Sequence, residues 1–160
     1  MIRCRTAVKH SIKIGFVGLL LTTIGFAVAQ MKPEHTIKYR QSVMNVAGWN
    51  FYGSMAPMVK GKKAFDAKKF ALNAQRVSIM LPMAAEGFTT GSDKGKTRAL
   101  PEIWSNMDDF KKKMNDSIDA SNKLAEIAKS GDEATMKKQF VATNKTCSGC
   151  HKKYRKKKNK

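Results

Sequence analysis

Five residues near the C-terminus, Cys147-Ser148-Gly149-Cys150-His151, constrain this chain more than any other stretch. Residues three and four apart share one face of an α-helix, so both thiols and the imidazole would project from the same side. Cys-x-x-Cys-His is the attachment pattern of a c-type haem. Cys147 and Cys150 would then form the two thioether links at the edge of the macrocycle, and His151 would ligate the iron from one face.

Two other chemistries share part of this motif. A thiol redox pair also uses Cys-x-x-Cys, but it favours a βαβ setting near a helix start, whereas this motif lies late in a lysine-rich helical segment. A structural zinc site needs four ligands, usually as two spaced pairs. The remaining cysteine and histidines of the chain are Cys4, His10 and His35. The motif and its surroundings favour haem.

The N-terminus has the pattern of a secretory signal peptide. Residues 1–13 carry four basic residues and no acid, and an apolar run over 14–27 leads into an Ala-Val-Ala cleavage signal. The run is shorter than the about 20 residues that a membrane span needs. We therefore expect residues 1–29 to be removed by cleavage after Ala29, leaving one exported domain over 30–160 in the periplasm.

The chain is strongly basic, with 31 Lys and Arg against 12 Asp and Glu and a formal net charge of +19. Loss of the four basic residues of the signal peptide leaves +15, much of it in the lysine-rich run over 152–158. Such a run can bind nucleic acid, but an exported protein meets little of it, and we expect no such partner. We interpret the run as a solvated helix end, where the helix dipole favours lysine. Docking to acidic proteins or anionic lipid surfaces is a second interpretation.

Helical periodicity dominates the rest of the mature chain, and no stretch alternates as a strand does. The expected helices cover about 33–58, about 66–81, about 101 to the turn at Gly131, and from that turn past the motif. The second helix is weakened by Pro82, and its apolar residues face two sides, which suggests contact with another subunit. The longest connection spans 86–100, and long loops are often functional. The pattern predicts an all-α fold, an antiparallel up-down-up-down four-helix bundle with the haem in its core.

At this point the mature chain resembles the cytochrome c prime family, the class II c-type cytochromes, including its low-spin methionine-ligated members. A haem motif near the C-terminus is specific to this class. The segments that carry the resemblance are 32–34, 37–41, 57–61, 81–82, 101–105 and 147–155. The resemblance implies an exported monohaem cytochrome with one covalently attached haem c and no enzymatic activity.

The resemblance also implies roles for particular residues. Cys147 and Cys150 would be the thioether links, and His151 the proximal iron ligand. Arg40 and Gln41 match a pair on the first helix that contacts the haem and its propionates in the family.

Four further positions match the surroundings of the haem in the family. Arg155 matches a basic residue beside the proximal histidine, which in gas-binding members interacts with that histidine or with bound nitric oxide. Thr97, Arg98 and Glu102 lie where family members approach the haem edge, in a region of variable loop length.

Met44 discriminates between two functions. It lies three and four residues after Gln41 and Arg40, so it shares their helix face and is expected on the distal side of the haem. Low-spin members use a methionine here as the sixth iron ligand, which favours electron transfer. A methionine that only fills space leaves a site for nitric oxide or carbon monoxide instead.

We therefore expect an electron-transfer cytochrome, with gas binding at a five-coordinate haem as the alternative. An enzyme such as a peroxidase has no support, because the one other histidine of the mature chain is His35, which is expected to face solvent. The resemblance implies a homodimer formed through the first two helices. Acidic redox proteins are the expected electron partners.

Overall fold

The computed structural model describes residues 31–157, and in this range the chain is helical and has no strands. None of the helices in this range is long and apolar enough to cross a membrane. The signal peptide predicted for residues 1–29 lies outside the described residues. The helices are α1 (Pro33–Gly48), a π-helical segment (Trp49–Met55), α2 (Ala56–Val59), α3 (Ala67–Glu86), α4 (Glu102–Ser105), α5 (Met107–Ala128) and α6 (Glu133–Tyr154).

These helices confirm the predicted all-α bundle and its four helical stretches. The first stretch is α1, which continues without a break through the π-helical segment into α2. The third stretch is divided at Asn106, whose non-helical backbone separates the single turn of α4 from α5. The predicted N-cap of α3 is confirmed, because the Asp66 side chain accepts a hydrogen bond from the Lys69 amide at 2.9 Å. Asp132 caps α6 in the same way, with the Thr135 amide as donor.

The end predicted for the second helix at Leu81 is wrong. α3 continues through Pro82 to Glu86, five residues further. Pro82 lacks the N–H that would bond to the Ser78 carbonyl, but it lies on an exposed face, where water can satisfy that carbonyl. Burial of Leu81 and Ala84 on the opposite face stabilises the helix past the proline.

The helices pack in chain order: α1 lies against α3, α3 against α5, and α5 against α6. α6 also meets the first stretch, but only at one end of the bundle. There Phe51 stacks on Phe140 with ring centroids 4.2 Å apart, and the Tyr52 hydroxyl lies 3.1 Å from the Asn144 side-chain oxygen. Toward the start of α1 and the end of α6, a cavity separates the two helices.

The bundle therefore has two apolar regions with different surroundings. The closed end, where the first stretch meets α6, is a continuous core of twelve buried side chains that includes Phe70, Leu124 and Met136. The open end surrounds the cavity, and its buried apolar residues are Ile103, Phe110, Met114, Cys150 and Tyr154.

Candidate haem-binding site

The cavity at the open end has a volume of about 670 Å³ and lies between α1 and α6. Pockets of about 300–1,000 Å³ with apolar walls and a few convergent polar groups are typical of ligand and cofactor sites. Much of the wall is apolar, from Val77, Leu81, Phe88, Ile103, Phe110 and Met114.

The motif on α6 faces this cavity. Cys147, Cys150 and His151 all line it, and both cysteines are free. Burial raises the pKa of the Cys147 thiol and raises that of Cys150 to about 11, so both are uncharged thiols at neutral pH. The last turns of α6 therefore present both candidate attachment points to one space.

The imidazole of His151 is neutral at physiological pH. Burial, with a smaller contribution from the charges of Arg155 and Arg98, lowers the pKa of His151 to about 4. A neutral imidazole keeps a ring nitrogen free to bind a metal. A structural zinc site was the alternative interpretation of the motif. Among residues 31–157, no three His, Cys, Asp or Glu side chains come together as metal ligands.

Arg40 lines the cavity, but its guanidinium is mainly used to hold the loop that follows α3. Arg40 is buried, with 3 % of its surface exposed. Its Nη1 donates to the Gly87 carbonyl and to Ser92 Oγ, both at 2.7 Å. Its Nη2 donates to the Ser92 carbonyl at 2.7 Å and to Thr97 Oγ1 at 3.0 Å. These four bonds fasten residues 87–97 to α1.

Aromatic rings and Gln41 strengthen the same attachment. The Arg40 guanidinium lies over the Phe88 ring at 4.8 Å and near the Trp104 ring at 5.5 Å. Gln41, which is exposed at the cavity lining, donates from Nε2 to the Lys96 carbonyl at 2.8 Å. The sequence did not reveal this loop-holding role for Arg40 and Gln41, and their contact with haem propionates stays a prediction.

Gly87 permits the loop to approach α1 closely. A Cβ atom at this position would lie 2.5 Å from the Arg40 Cβ and 3.0 Å from the Thr36 carbonyl oxygen. Any side chain would therefore push the start of the loop away from the helix that anchors it.

Met44 lines the cavity from α1, whereas His151 lines it from α6. Met44 is half-buried and packs against residues of both the closed end and the open end. The two candidate iron ligands thus come from the two helices that the cavity separates.

A short backbone link joins the loop to the end of α6. Ala99 and Arg155 form an isolated antiparallel bridge, and the Lys156 amide donates to the Arg98 carbonyl at 2.8 Å. This link brings the neighbourhoods of Arg98 and Arg155 together, and both residues line the cavity.

Thr97 also lines the cavity, but Glu102 does not. Glu102 is exposed at the start of α4. α4 is a single turn whose buried residue is Ile103, and this residue, instead of Glu102, contributes to the cavity wall.

Two aromatic residues of the site escaped the sequence analysis. Tyr52 lies in the π-helical segment and Phe88 in the loop after α3, and both line the cavity. Phe88 is the one aromatic residue in the polar stretch 86–100. An isolated large apolar residue in such a loop is a usable signal for a buried contact, whereas nothing in the local sequence marks Tyr52.

The residues present fit a covalently attached haem. Two thiols and a neutral imidazole lie on one wall, a thioether lies on another, and the rest is largely apolar. These features define a c-type haem protein of the four-helix-bundle class. The family model of cytochrome c′ matches residues 35–155, and the chain belongs to this family. Its cofactor is haem c, for which Cys147 and Cys150 are in place.

The similarity of this chain to known relatives extends over nearly the whole length of those relatives. Cytochrome c′ from Rubrivivax gelatinosus is 38% identical over 127 residues, which cover 79% of this chain and 98% of that protein. The structure of cytochrome c prime from Shewanella frigidimarina is 42% identical, with a TM-score of 0.77, and the match covers 80% of this chain and 99% of that one. A nitric oxide complex of a variant cytochrome c prime from Alcaligenes xylosoxidans is 35% identical, with a TM-score of 0.73 and coverages of 81% and 99%. Another variant of that protein has been solved with carbon monoxide bound.

Proposed function

We propose that this protein is an exported electron-transfer cytochrome in which Met44 is the sixth ligand of the haem iron. The observation that carries the proposal is the placement of Met44 and His151 on the two helices that line opposite parts of one cavity. Haem held by a histidine and a methionine supplies a one-electron change between ferric and ferrous iron, at a potential set by its axial ligands and burial.

The chain's own residues act by holding this site in one geometry. The stacking of Phe51 on Phe140 fixes the first stretch against α6 just below the cavity. The four hydrogen bonds of Arg40 hold the loop over one side of it. Electron transfer needs no substrate chemistry from the side chains, so we propose no enzymatic activity.

A homodimer is part of the proposal. Several large apolar side chains are exposed on the first stretch and on α3, which pack against each other. They are Val46, Trp49, Leu72, Ile79 and Met83, and Trp49 is 78% exposed. Exposed apolar patches of this kind often mark protein interfaces, and this one lies on the two helices for which the resemblance implies dimer contacts.

Export to the periplasm also belongs to the proposal, with cleavage after Ala29. The basic and apolar pattern of residues 1–29 supports it. Cytochromes c′ are periplasmic proteins, in agreement with the attachment of haem outside the cytoplasm.

Gas binding is the second candidate function. The apolar wall around Met44, which includes Phe88, Leu81 and Val77, would admit small neutral diatomic molecules more readily than polar ligands. Structures of the Alcaligenes xylosoxidans relative with nitric oxide and with carbon monoxide support this candidate. It requires that the Met44 sulfur leave the iron or never reach it.

Absorption spectra of the ferric and ferrous holoprotein test the proposal, with Met44→Leu as the main variant. We expect a low-spin spectrum in the wild type and a high-spin spectrum in Met44→Leu, together with faster carbon monoxide binding by the ferrous variant. Met114→Leu is the matched control, because Met114 also lines the cavity but comes from α5. It should keep the wild-type spectrum. A high-spin wild type that Met44→Leu leaves unchanged would contradict methionine ligation and favour gas binding.

A further inference from the structure

A second concave surface adjoins the haem cavity at the end of α6. This groove has a volume of about 490 Å³. We call it the basic groove, because five of its eight lining residues are Lys or Arg and none is acidic. The lining residues are Tyr52, Arg98, Ser148, His151, Lys152, Arg155, Lys156 and Lys157.

No ion pair within residues 31–157 neutralises these five charges. The ion pairs of this range join Lys112 to Asp116, Lys129 to Glu126, Lys137 to Glu133 and Lys153 to Asp109. Lys153 is therefore a useful contrast, because it neighbours Lys152 in sequence but turns away from the groove to a carboxylate 2.9 Å distant. The groove therefore has a concentrated positive potential, which would attract an anionic surface.

The basic groove shares a wall with the haem cavity. Tyr52, Arg98, His151 and Arg155 line both spaces. A molecule seated in the groove would therefore be separated from the cofactor by little more than the candidate proximal ligand and its neighbours.

The groove is also held in shape by backbone contacts. The Lys156 amide donates to the Arg98 carbonyl at 2.8 Å, and the Leu100 amide donates to the Tyr154 carbonyl at 3.0 Å. These bonds join the loop to the end of α6, so the charges from two separate segments are presented together. A preorganised surface spends less free energy on ordering when it binds.

We propose that the basic groove is the docking surface for an acidic redox-partner protein. The proposal rests on the electron-transfer function proposed above and names the class and position of its partner. Three features support it: five positive charges with no ion-pair partner among residues 31–157, a concave shape, and a wall shared with the haem cavity. Redox encounters use small interfaces and depend on charge complementarity for fast and specific association.

Binding of oxidised flavodoxin, a small acidic protein, to the ferric holoprotein tests the proposal. The dissociation constant is measured by titration calorimetry at low and high salt. In the variant Lys152→Glu with Lys156→Glu, we expect binding at low ionic strength to be about tenfold weaker or more. We expect the difference to disappear at about 0.5 M salt, where exposed charges are screened.

Lys62→Glu with Lys63→Glu is the matched control, since it changes the net charge equally. Both lysines are exposed in the connection between α2 and α3. The nearby Phe65 ring lies 5.3 Å from Lys137 Nζ, near the start of α6. The helical rise puts Lys137 about 22 Å from Lys152. This control should weaken flavodoxin binding by less than about threefold, through the net charge alone.

Three results would overturn the docking surface. Equal weakening by both variants would show that only the net charge matters. Unchanged flavodoxin binding by the groove variant, with loss of binding to phosphatidylglycerol vesicles, would assign the groove to a membrane surface. Displacement of flavodoxin by inorganic phosphate, but not by chloride at equal ionic strength, would assign it to a small anion.

The rate of electron transfer separates this proposal from the proposed function. Reduced flavodoxin gives one electron to the ferric holoprotein, and the reaction is followed by stopped-flow absorption. Slower reduction of the groove variant than of the control would support the proposal. Equal rates in all three proteins would overturn the docking surface and leave electron transfer intact, whereas the spectra of Met44→Leu test the function itself.

Discussion

The closed end and the open end of this bundle are built from the same helices but are stabilised differently. At the closed end the first stretch touches α6, and Phe70, Leu124 and Met136 have no exposed surface. At the open end the two helices separate around a cavity of about 670 Å³, and the loop over it is held by the buried Arg40. We infer that the closed end is stable without the cofactor, whereas the open end depends on its polar anchors and on the haem.

The largest expected effect comes from truncating a large side chain in the core of the closed end. Phe70→Ala should lower the free energy of unfolding of the holoprotein by about 3–5 kcal/mol, because a large buried ring is lost and a cavity remains. Urea denaturation followed by circular dichroism measures the change. Val141→Ala on α6 is the control, and it should cost much less because Val141 is 47% exposed and lies outside the two helices of the proposed dimer surface. Equal losses in the two variants would show that the closed end is not a packed core.

A smaller effect is expected at the polar anchor of the open end. Arg40→Ala should lower the free energy of unfolding by about 2–4 kcal/mol, because buried partners in the loop lose their hydrogen bonds. Arg40→Lys should recover only part of this loss, since one ammonium cannot reproduce the four bonds of the planar guanidinium. Arg76→Ala, at an exposed position of α3, is the control.

The Arg40 variants also have a local readout. Limited proteolysis should cut residues 87–97 faster in Arg40→Ala than in the wild type or in Arg76→Ala. Unchanged cleavage of this loop would contradict the anchoring role, whatever the change in global stability.

The smallest expected effect is the pH dependence of stability that Asp109 gives to the open end. The Tyr154 hydroxyl and the Lys153 ammonium bond to Asp109 and lower the pKa of its carboxyl below the ordinary 3.8. A lowered pKa in the folded state means that this stabilisation is complete above about pH 4 and is lost as the pH falls through the lowered value.

Asp109→Asn should therefore be less stable than the wild type at pH 7, and the difference should narrow below pH 4. Urea denaturation at a series of pH values measures it. Asp119→Asn, at an exposed site on the same helix, is the control for removal of a carboxylate from α5. A difference in the free energy of unfolding between Asp109→Asn and wild type that stays constant down to pH 3 would contradict the stabilising role of the Asp109 carboxylate.

The sequence predicted the helices well because their apolar periodicity is local. It failed at Pro82, because the burial of Leu81 and Ala84 against other helices outweighs the missing backbone bond. It also missed the break at Asn106, which separates two segments of similar periodicity.

The site was predictable where residue spacing alone places the groups, as in the motif at 147–151 and the shared face of Arg40 and Met44. The anchoring of the loop by Arg40 was not predictable, because its partners lie 47 to 57 residues away in sequence. The exposure of Glu102 was missed for a related reason. α4 is too short for periodicity to show which side of it is buried.

Hydrogen exchange measured by mass spectrometry tests the dependence of the open end on its cofactor most directly. The holoprotein is compared with Cys147→Ala combined with Cys150→Ala, which cannot carry covalent haem. We predict faster exchange in residues 33–48, 87–118 and 147–157 of the double variant, with exchange in 67–77 and 120–140 nearly unchanged. Equal exchange in the two proteins, or a uniform loss of protection along the whole bundle, would contradict the division into a self-sufficient closed end and a cofactor-dependent open end.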